Sequence, residues 1–279
     1  MKLVGYEAAG NAMIGSLDSE GAITPICERE AFWRDSKRCL AVSKAAPAPA
    51  RKLREVRQVH AVPVGARVIC IGLNYRDHAL EAGRAEIPTV PVIFGRWTAS
   101  LVCDGDECPV VEDRYDWEGE LGVVIGEKMF RVDAANGLKG VFGYCAFNDL
   151  SARTFQRATP QWTFGKNAEK SGPISPIATA DAVGDPARGL RLTTRVNDQV
   201  MQDDTTQNLI FPVGVLIEYI SQLMTLNPGD LIATGTPAGI GAARRPPVFL
   251  RAGDTVEVEI EQVGKVANKI VALASEVGT

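Results

Sequence analysis

The sequence predicts an α+β fold that is predominantly β, with a rolled-sheet or barrel core and a small N-terminal α+β domain. Three observations carry this. Short apolar runs bounded by turn residues recur from Arg67 onward, while helical spacing is confined to a few stretches. Glycine and proline number 27 and 16 among 279 residues, which suits a turn-rich chain and is too sparse for collagen or disorder. The first 60 or so residues differ in pattern from the rest, which sets the domains at 1–62 and 63–279.

Residues 6–26 alternate loosely between apolar and polar, with turn signals at Gly10, Gly15, Asp18 and Gly21, and read as a small antiparallel piece. Residues 27–59 are rich in charge. Within them AAPAPA at 45–50 reads as a linker, because its prolines block both helix and ladder. The basic run 51–57 is a solvated face or an anion site. Beyond it, 68–72, 91–95 and 120–126 are short apolar strand candidates, and 256–261 alternates as a half-buried strand does. Residues 211–223 carry helical spacing and end at the turn Asn227-Pro228-Gly229-Asp230; 133–138 opens a shorter helix.

Composition excludes several classes. The net charge of −4 argues against a nucleic-acid surface or a polybasic membrane patch. No apolar run approaches the ~20 residues that span a bilayer. The chain reaches Glu7 before any apolar leader forms, so no signal peptide is read and a cytoplasmic protein is expected. The six cysteines form no CxxC pair and are expected to be free thiols packed as small apolar groups.

The most informative segment is DWEGELGVVIG at 116–126. In a strand Glu118 and Glu120 point to one face, where two carboxylates repel unless a cation lies between them. Oxygen ligands favour Mg²⁺, Mn²⁺ or Ca²⁺ over zinc. The alternative is a pair of solvated surface glutamates. Asp149 ends the apolar run 141–147 and is either a site carboxylate or an N-cap. Arg153 and Gln156 follow four and seven residues on, and in a helix they share a face with it. A cation and an amide together suit an anionic or carbonyl substrate. Arg153 could equally pair with a neighbouring acid.

His78 and Glu81 fall at i, i+3 on a short helix that Asn74 or Asp77 would cap, a spacing that lets the carboxylate orient the imidazole as a general base. A histidine bonded to a backbone group is the alternative. Residues 229–241 hold a glycine-rich turn whose backbone can approach a ligand, but it is neither a Walker motif nor a dinucleotide fingerprint.

Taken in order, IGLNYRDHALEAG (71–83), PVIFGRWTAS (91–100), DWEGELGVVIG (116–126), GYCAFNDLSARTFQ (143–156), FGK (164–166), VNDQVMQD (196–203) and PGDLIATGTPAGIG (228–241) resemble the fumarylacetoacetate hydrolase family. The likeness covers residues 65–265, and 1–60 look like the small N-terminal domain of bacterial members. The resemblance implies a mixed β-roll core, a homodimer and one divalent cation per subunit, Mg²⁺ or Mn²⁺, with Ca²⁺ as a substitute in crystals. It implies Glu118, Glu120 and Asp149 as metal ligands and His78 and Glu81 as a catalytic dyad on a closing lid. Lys166 becomes the active-site lysine, and Arg153, Gln156 and Thr236 contact the substrate. The chain departs from the family pattern after Lys166 and at Arg96-Trp97, changes expected to bear on the far end of the substrate and not on the metal.

The implied activity is hydrolysis of a C–C bond in a 2,4-dioxo acid of the acylpyruvate type, through a pyruvate enolate that the cation stabilises. The same chemistry serves an oxaloacetate-type decarboxylase or a 2-oxo-dienedioate isomerase or hydratase. A relative that binds a metal or a 2-oxo acid without catalysis is the reading of another class. The implied partner is a small 2-oxo acid, with no nucleic acid and no membrane.

Overall fold

The alternation and turn signals at the N-terminus fold as read. In the computed structural model, which describes residues 1–46, 48–83 and 86–273, strands Lys2–Ala8, Asn11–Leu17 and Ala22–Glu28 form an antiparallel meander. Its first hairpin turns at Ala9 and Gly10, both at positive φ, the twist that two-residue hairpins favour. Strand Lys2–Ala8 also pairs with Ile177–Thr179, so the meander continues the main sheet. Helices Arg29–Arg34 and Ser36–Ala45 follow, the second capped by Asp35, whose side chain accepts from the Arg38 amide at 3.0 Å. Phe32 and Trp33 meet Phe142 edge-on at 5.6 and 5.1 Å. Of the expected linker at 45–50, Ala45 ends the second helix and Pro47 lies outside the described residues. The basic run is mostly exposed, with Arg57 paired to Glu7 on the surface.

The main sheet has 13 strands and places Ile177–Thr179, Val141–Asn148, Gly119–Ile125, Leu231–Ala233, Val68–Gly72 and Val92–Arg96 side by side. The path ends at Arg51–Lys52 and Val92–Arg96, so the core is a rolled open sheet and not a closed barrel. Strand Gly119–Ile125 is buried throughout. Leu121, Val123 and Ile125 pack with Leu216 and Ile217 of helix Val213–Ser221, while Val124 packs with Cys145 and Phe147 on the other face. Covering both faces explains a continuous apolar run where a one-sided strand would alternate. Helix Val213–Ser221 lies close on Ala134–Lys139, where a Cβ on Gly137 would sit 2.7 Å from Ile217.

A second sheet of five strands holds Arg191–Val196, Gln199–Thr205, Thr255–Ile260, Gly264–Ala272 and Glu107–Val110. Val256, Val258 and Ile260 point inward and Glu257 and Glu259 outward, as the period-2 pattern requires. All six cysteines are free. No helix among the described residues is long and apolar enough to cross a membrane.

Candidate active site

Strand pairing brings the acids together. Strands Gly119–Ile125 and Val141–Asn148 run antiparallel with Gly119 opposite Asn148, which sets Glu118 and Asp149 at adjoining strand ends. The Asp149 amide donates to the Glu118 carbonyl at 2.8 Å. Glu118, Glu120 and Asp149 are buried, and each offers a carboxylate oxygen within 4.8 Å of the others. The intervening glycine is obligatory, because a Cβ on Gly119 would lie 2.2 Å from Thr194 Oγ1.

Three buried cations face these acids. Lys166 Nζ bridges Glu118 Oε2 and Asp149 Oδ2 at 2.6 and 2.5 Å. Arg153 donates to Glu118, to Asp116 Oδ2 at 2.8 Å and to Gln156 Oε1 at 2.9 Å. Arg96, expected to bear on the far end of the substrate, is instead buried on the metal-ligand candidate Asp149. It donates to Asp149 Oδ1, to the Leu150 carbonyl and to Ser171 Oγ. Its long planar donor fork satisfies all three acceptors at once.

Four carboxylates, counting Asp116, thus face Arg96, Arg153 and Lys166, and Glu120 is the one left over. Its partner is the Gly235 amide at 2.8 Å. Burial and the nearby Asp149 and Glu118 push the Glu120 pKa well above the carboxylate range. Burial also opposes ionisation of Glu118, but Lys166 and Arg153 outweigh it and hold that carboxyl below its usual value. A buried set of hard oxygens with one carboxyl group more than its three cations can pair fits a divalent cation of the Mg²⁺ or Mn²⁺ type.

The glycine-rich segment meets these side chains. Gly235 N donates to Glu120, Gly239 N to Glu81 at 3.0 Å, and Gly241 N and Ala242 N to Asp116 at 2.7 and 2.9 Å. Its backbone therefore positions acids of the site, where direct approach to a ligand was expected. Gly235 sits at φ 100°, and a Cβ there would come within 2.7 Å of Asn74 Cβ.

Helix Arg76–Glu81 starts after Tyr75 with no side-chain cap, contrary to the expected Asn74 or Asp77 cap. Asn74 instead ties two loops together, donating to the Thr234 and Phe211 carbonyls and accepting from the Phe211 amide. Within the helix His78 Nδ1 lies 2.9 Å from Glu81 Oε1, at the expected i, i+3 spacing. Asp149 caps nothing either. The chain stays extended through Ser151–Ala152, which pairs with Tyr115–Asp116, and the helix spans Arg153–Arg157. Arg153 and Gln156 are thus neighbours within that helix.

His78, Glu118, Glu120, Gln156, Lys166 and Thr236 line one cavity of about 290 Å³. Glu81 and Asp149 stand behind that wall, bonded to His78 and Lys166. Thr236 Oγ1 accepts from Gln202 Nε2, and Gln202 Oε1 accepts from the Gly119 amide. Sequence reasoning missed Arg96, Asp116, Gln202 and Arg157 as site residues. The signal available for three of them was their place inside the quoted motifs.

The model of the fumarylacetoacetate (FAA) hydrolase C-terminal family matches residues 67–271. The chain belongs to the fumarylacetoacetate hydrolase family. It is 38% identical over 248 residues to the mitochondrial oxaloacetate tautomerase FAHD2A of Homo sapiens, covering 86% of this chain and 78% of that protein. The solved 2-hydroxyhepta-2,4-diene-1,7-dioate isomerase of Mycobacterium marinum shares 31% identity at a TM-score of 0.77, covering 99% of this chain and all of that one. The fumarylpyruvate hydrolase of Pseudomonas aeruginosa, solved with Mn²⁺ and pyruvate, shares 27% identity at a TM-score of 0.69, covering 76% and 91%. Fumarylacetoacetate hydrolase family members thus include hydrolases, isomerases and a tautomerase. The Mn²⁺ complex and the buried acid triad agree in pointing to a divalent metal.

Proposed function

We propose that this chain is a divalent-cation-dependent hydrolase that cleaves a C–C bond in a small 2,4-dioxo acid of the acylpyruvate type. The observation that carries the reading is that His78, backed by Glu81, faces the same cavity as Glu118, Glu120 and Lys166. A volume near 290 Å³ lies at the small end of the ~300–1,000 Å³ typical of ligand sites, which suits a short oxo acid.

Glu118, Glu120 and Asp149 would hold the cation, which supplies Lewis acidity toward the carboxylate and keto oxygens of a 2-oxo acid. Gln156 and Thr236, which line the cavity, would orient the substrate's polar end. Glu81 accepts from His78 Nδ1 and leaves Nε2 as the basic nitrogen, which takes a proton from water as the water oxygen bonds to the distal carbonyl carbon. The C–C bond then breaks, an acid leaves, and the Lys166 ammonium would return a proton to the three-carbon fragment, giving pyruvate. The homodimer belongs to the same proposal. It is supported by exposed apolar surface at Trp97 and Phe164, 61% and 72% accessible.

A second reading, tautomerisation or decarboxylation of oxaloacetate, is favoured by the likeness to the human tautomerase and by a lysine that can relay protons without water. Solvent ¹⁸O decides between them. Acetylpyruvate, fumarylpyruvate and oxaloacetate would be offered with Mn²⁺, with Mg²⁺ and with EDTA in labelled water. Label in the released acid, dependent on the cation, is expected. Turnover of oxaloacetate alone, with no label in any released acid, overturns hydrolysis in favour of the second reading.

A further inference from the structure

Gln202, on strand Gln199–Thr205 of the five-stranded sheet, is buried and bonds to two sides of the site. Its Oε1 accepts from the Gly119 amide at 3.0 Å, between the candidate metal ligands Glu118 and Glu120. Its Nε2 donates to Thr236 Oγ1 at 2.7 Å and to the Pro237 carbonyl at 2.8 Å. The amide fits only one way round. A backbone N–H can only donate and a backbone carbonyl can only accept, so the oxygen faces Gly119 and the nitrogen faces Pro237. Both protons of that nitrogen are then spent, one on Pro237 and one on Thr236.

This decides how Thr236 can act. A hydroxyl oxygen that accepts from Gln202 sends its own proton elsewhere, and among the described residues no acceptor takes it. Thr236 is buried and lines the cavity with Glu118, Glu120 and Lys166. Gln202 has little room to shift. A Cβ on Gly119 would lie 3.3 Å from its Oε1, and a Cβ on Gly239 would lie 3.3 Å from its Cγ and 2.2 Å from the Met201 carbonyl oxygen. The metal-ligand strand and the glycine-rich turn are thus both packed against it. We infer that Gln202 is a positioning residue, which holds the Thr236 hydroxyl as a hydrogen-bond donor toward an acceptor oxygen of the substrate. This rests on the 2-oxo acid reading above, since the carboxylate and keto oxygens of such an acid accept and do not donate.

The test is a double-mutant cycle read by binding, with no turnover needed. Protein in Mn²⁺ is titrated calorimetrically with pyruvate, the product of the proposed reaction. Thr236→Val removes the hydroxyl at nearly constant shape and should weaken pyruvate about tenfold, the worth of one hydrogen bond to a charged oxygen. Gln202→Met keeps the length and removes the amide, and should weaken pyruvate nearly as much. Added to Thr236→Val, Gln202→Met should cost less than about twofold more, because the hydroxyl it orients is already gone. A residue that only props the fold costs the same in both backgrounds. Additive losses therefore overturn the inference, as does wild-type affinity in Gln202→Met, and in either case the 2-oxo acid reading stands. If Gln202→Met melts below the working temperature, Gln202→Glu carries the cycle. It keeps an acceptor for the Gly119 amide and supplies at most one proton where the amide supplies two, and any charge it brings is common to both backgrounds. A wild-type protein that binds no pyruvate in Mn²⁺ overturns the 2-oxo acid reading and the inference with it.

Discussion

Replacing Glu120 with glutamine should leave the cation-free protein as stable as the wild type, or more so, while abolishing its stabilisation by divalent cations. Glu120 is the fourth carboxylate facing three cations, and its oxygen lies within 4.8 Å of those of Glu118 and Asp149. At that separation and an effective dielectric near 20, one like-charge pair costs on the order of 3 kcal/mol if both groups are ionised. Glutamine removes that repulsion and keeps an oxygen to accept from Gly235 N. For the wild type, cation at one hundred times its dissociation constant stabilises by about 2.7 kcal/mol. In a chain of this size that raises Tm by roughly 5 °C. Thermal melts of both proteins in EDTA, Mg²⁺ and Mn²⁺ measure each part. A full cation-induced rise in Glu120→Gln would refute the assignment of Glu120 as a ligand. A cation-free variant several degrees less stable than wild type would refute the charge count.

Arg96→Met should cost about 3–5 kcal/mol in urea denaturation, because it strips Asp149 of a buried partner and leaves an uncompensated charge; a loss under about 1 kcal/mol would show that Asp149 is satisfied by Lys166 alone. His78→Ala should lower kcat by about 10²–10⁴-fold with little change in KM, since the imidazole is assigned to water and not to binding; a variant with wild-type kcat and raised KM contradicts that role. Light scattering at micromolar concentration should give twice the 29.9 kDa chain mass, and a clean monomer counts against the dimer.

What could be read from the sequence was what carries its own periodicity. The two-residue repeat put Glu118 and Glu120 on one face, and the three-residue step from His78 to Glu81 gave the bonded pair seen at 2.9 Å. The helix start near Asp149 was misplaced for a local reason. Asp149 and Ser151 are both of the residue types that cap helices, but pairing of Ser151–Ala152 with Tyr115–Asp116 keeps that stretch extended, and the helix begins at Arg153. Asn74 was misread in the same way. Its side chain satisfies backbone groups 137 and 160 residues away, and local capping loses to them.

The charge balance of the site is the part no local pattern contains. Arg96 reaches Asp149 across 53 residues, Arg153 reaches Asp116 across 37, and Gly235 reaches Glu120 across 115. Each of these contacts exists because strand order sets the partners side by side. From the sequence, the three acids look like equal members of a ligand set. In the fold they are unequal. Glu118 and Asp149 are each held by two cations, whereas Glu120 has a single backbone amide. The incoming cation therefore meets two carboxylates already fixed in place and one carboxyl that no side-chain cation pairs. That asymmetry makes Glu120 the residue whose removal separates metal binding from folding.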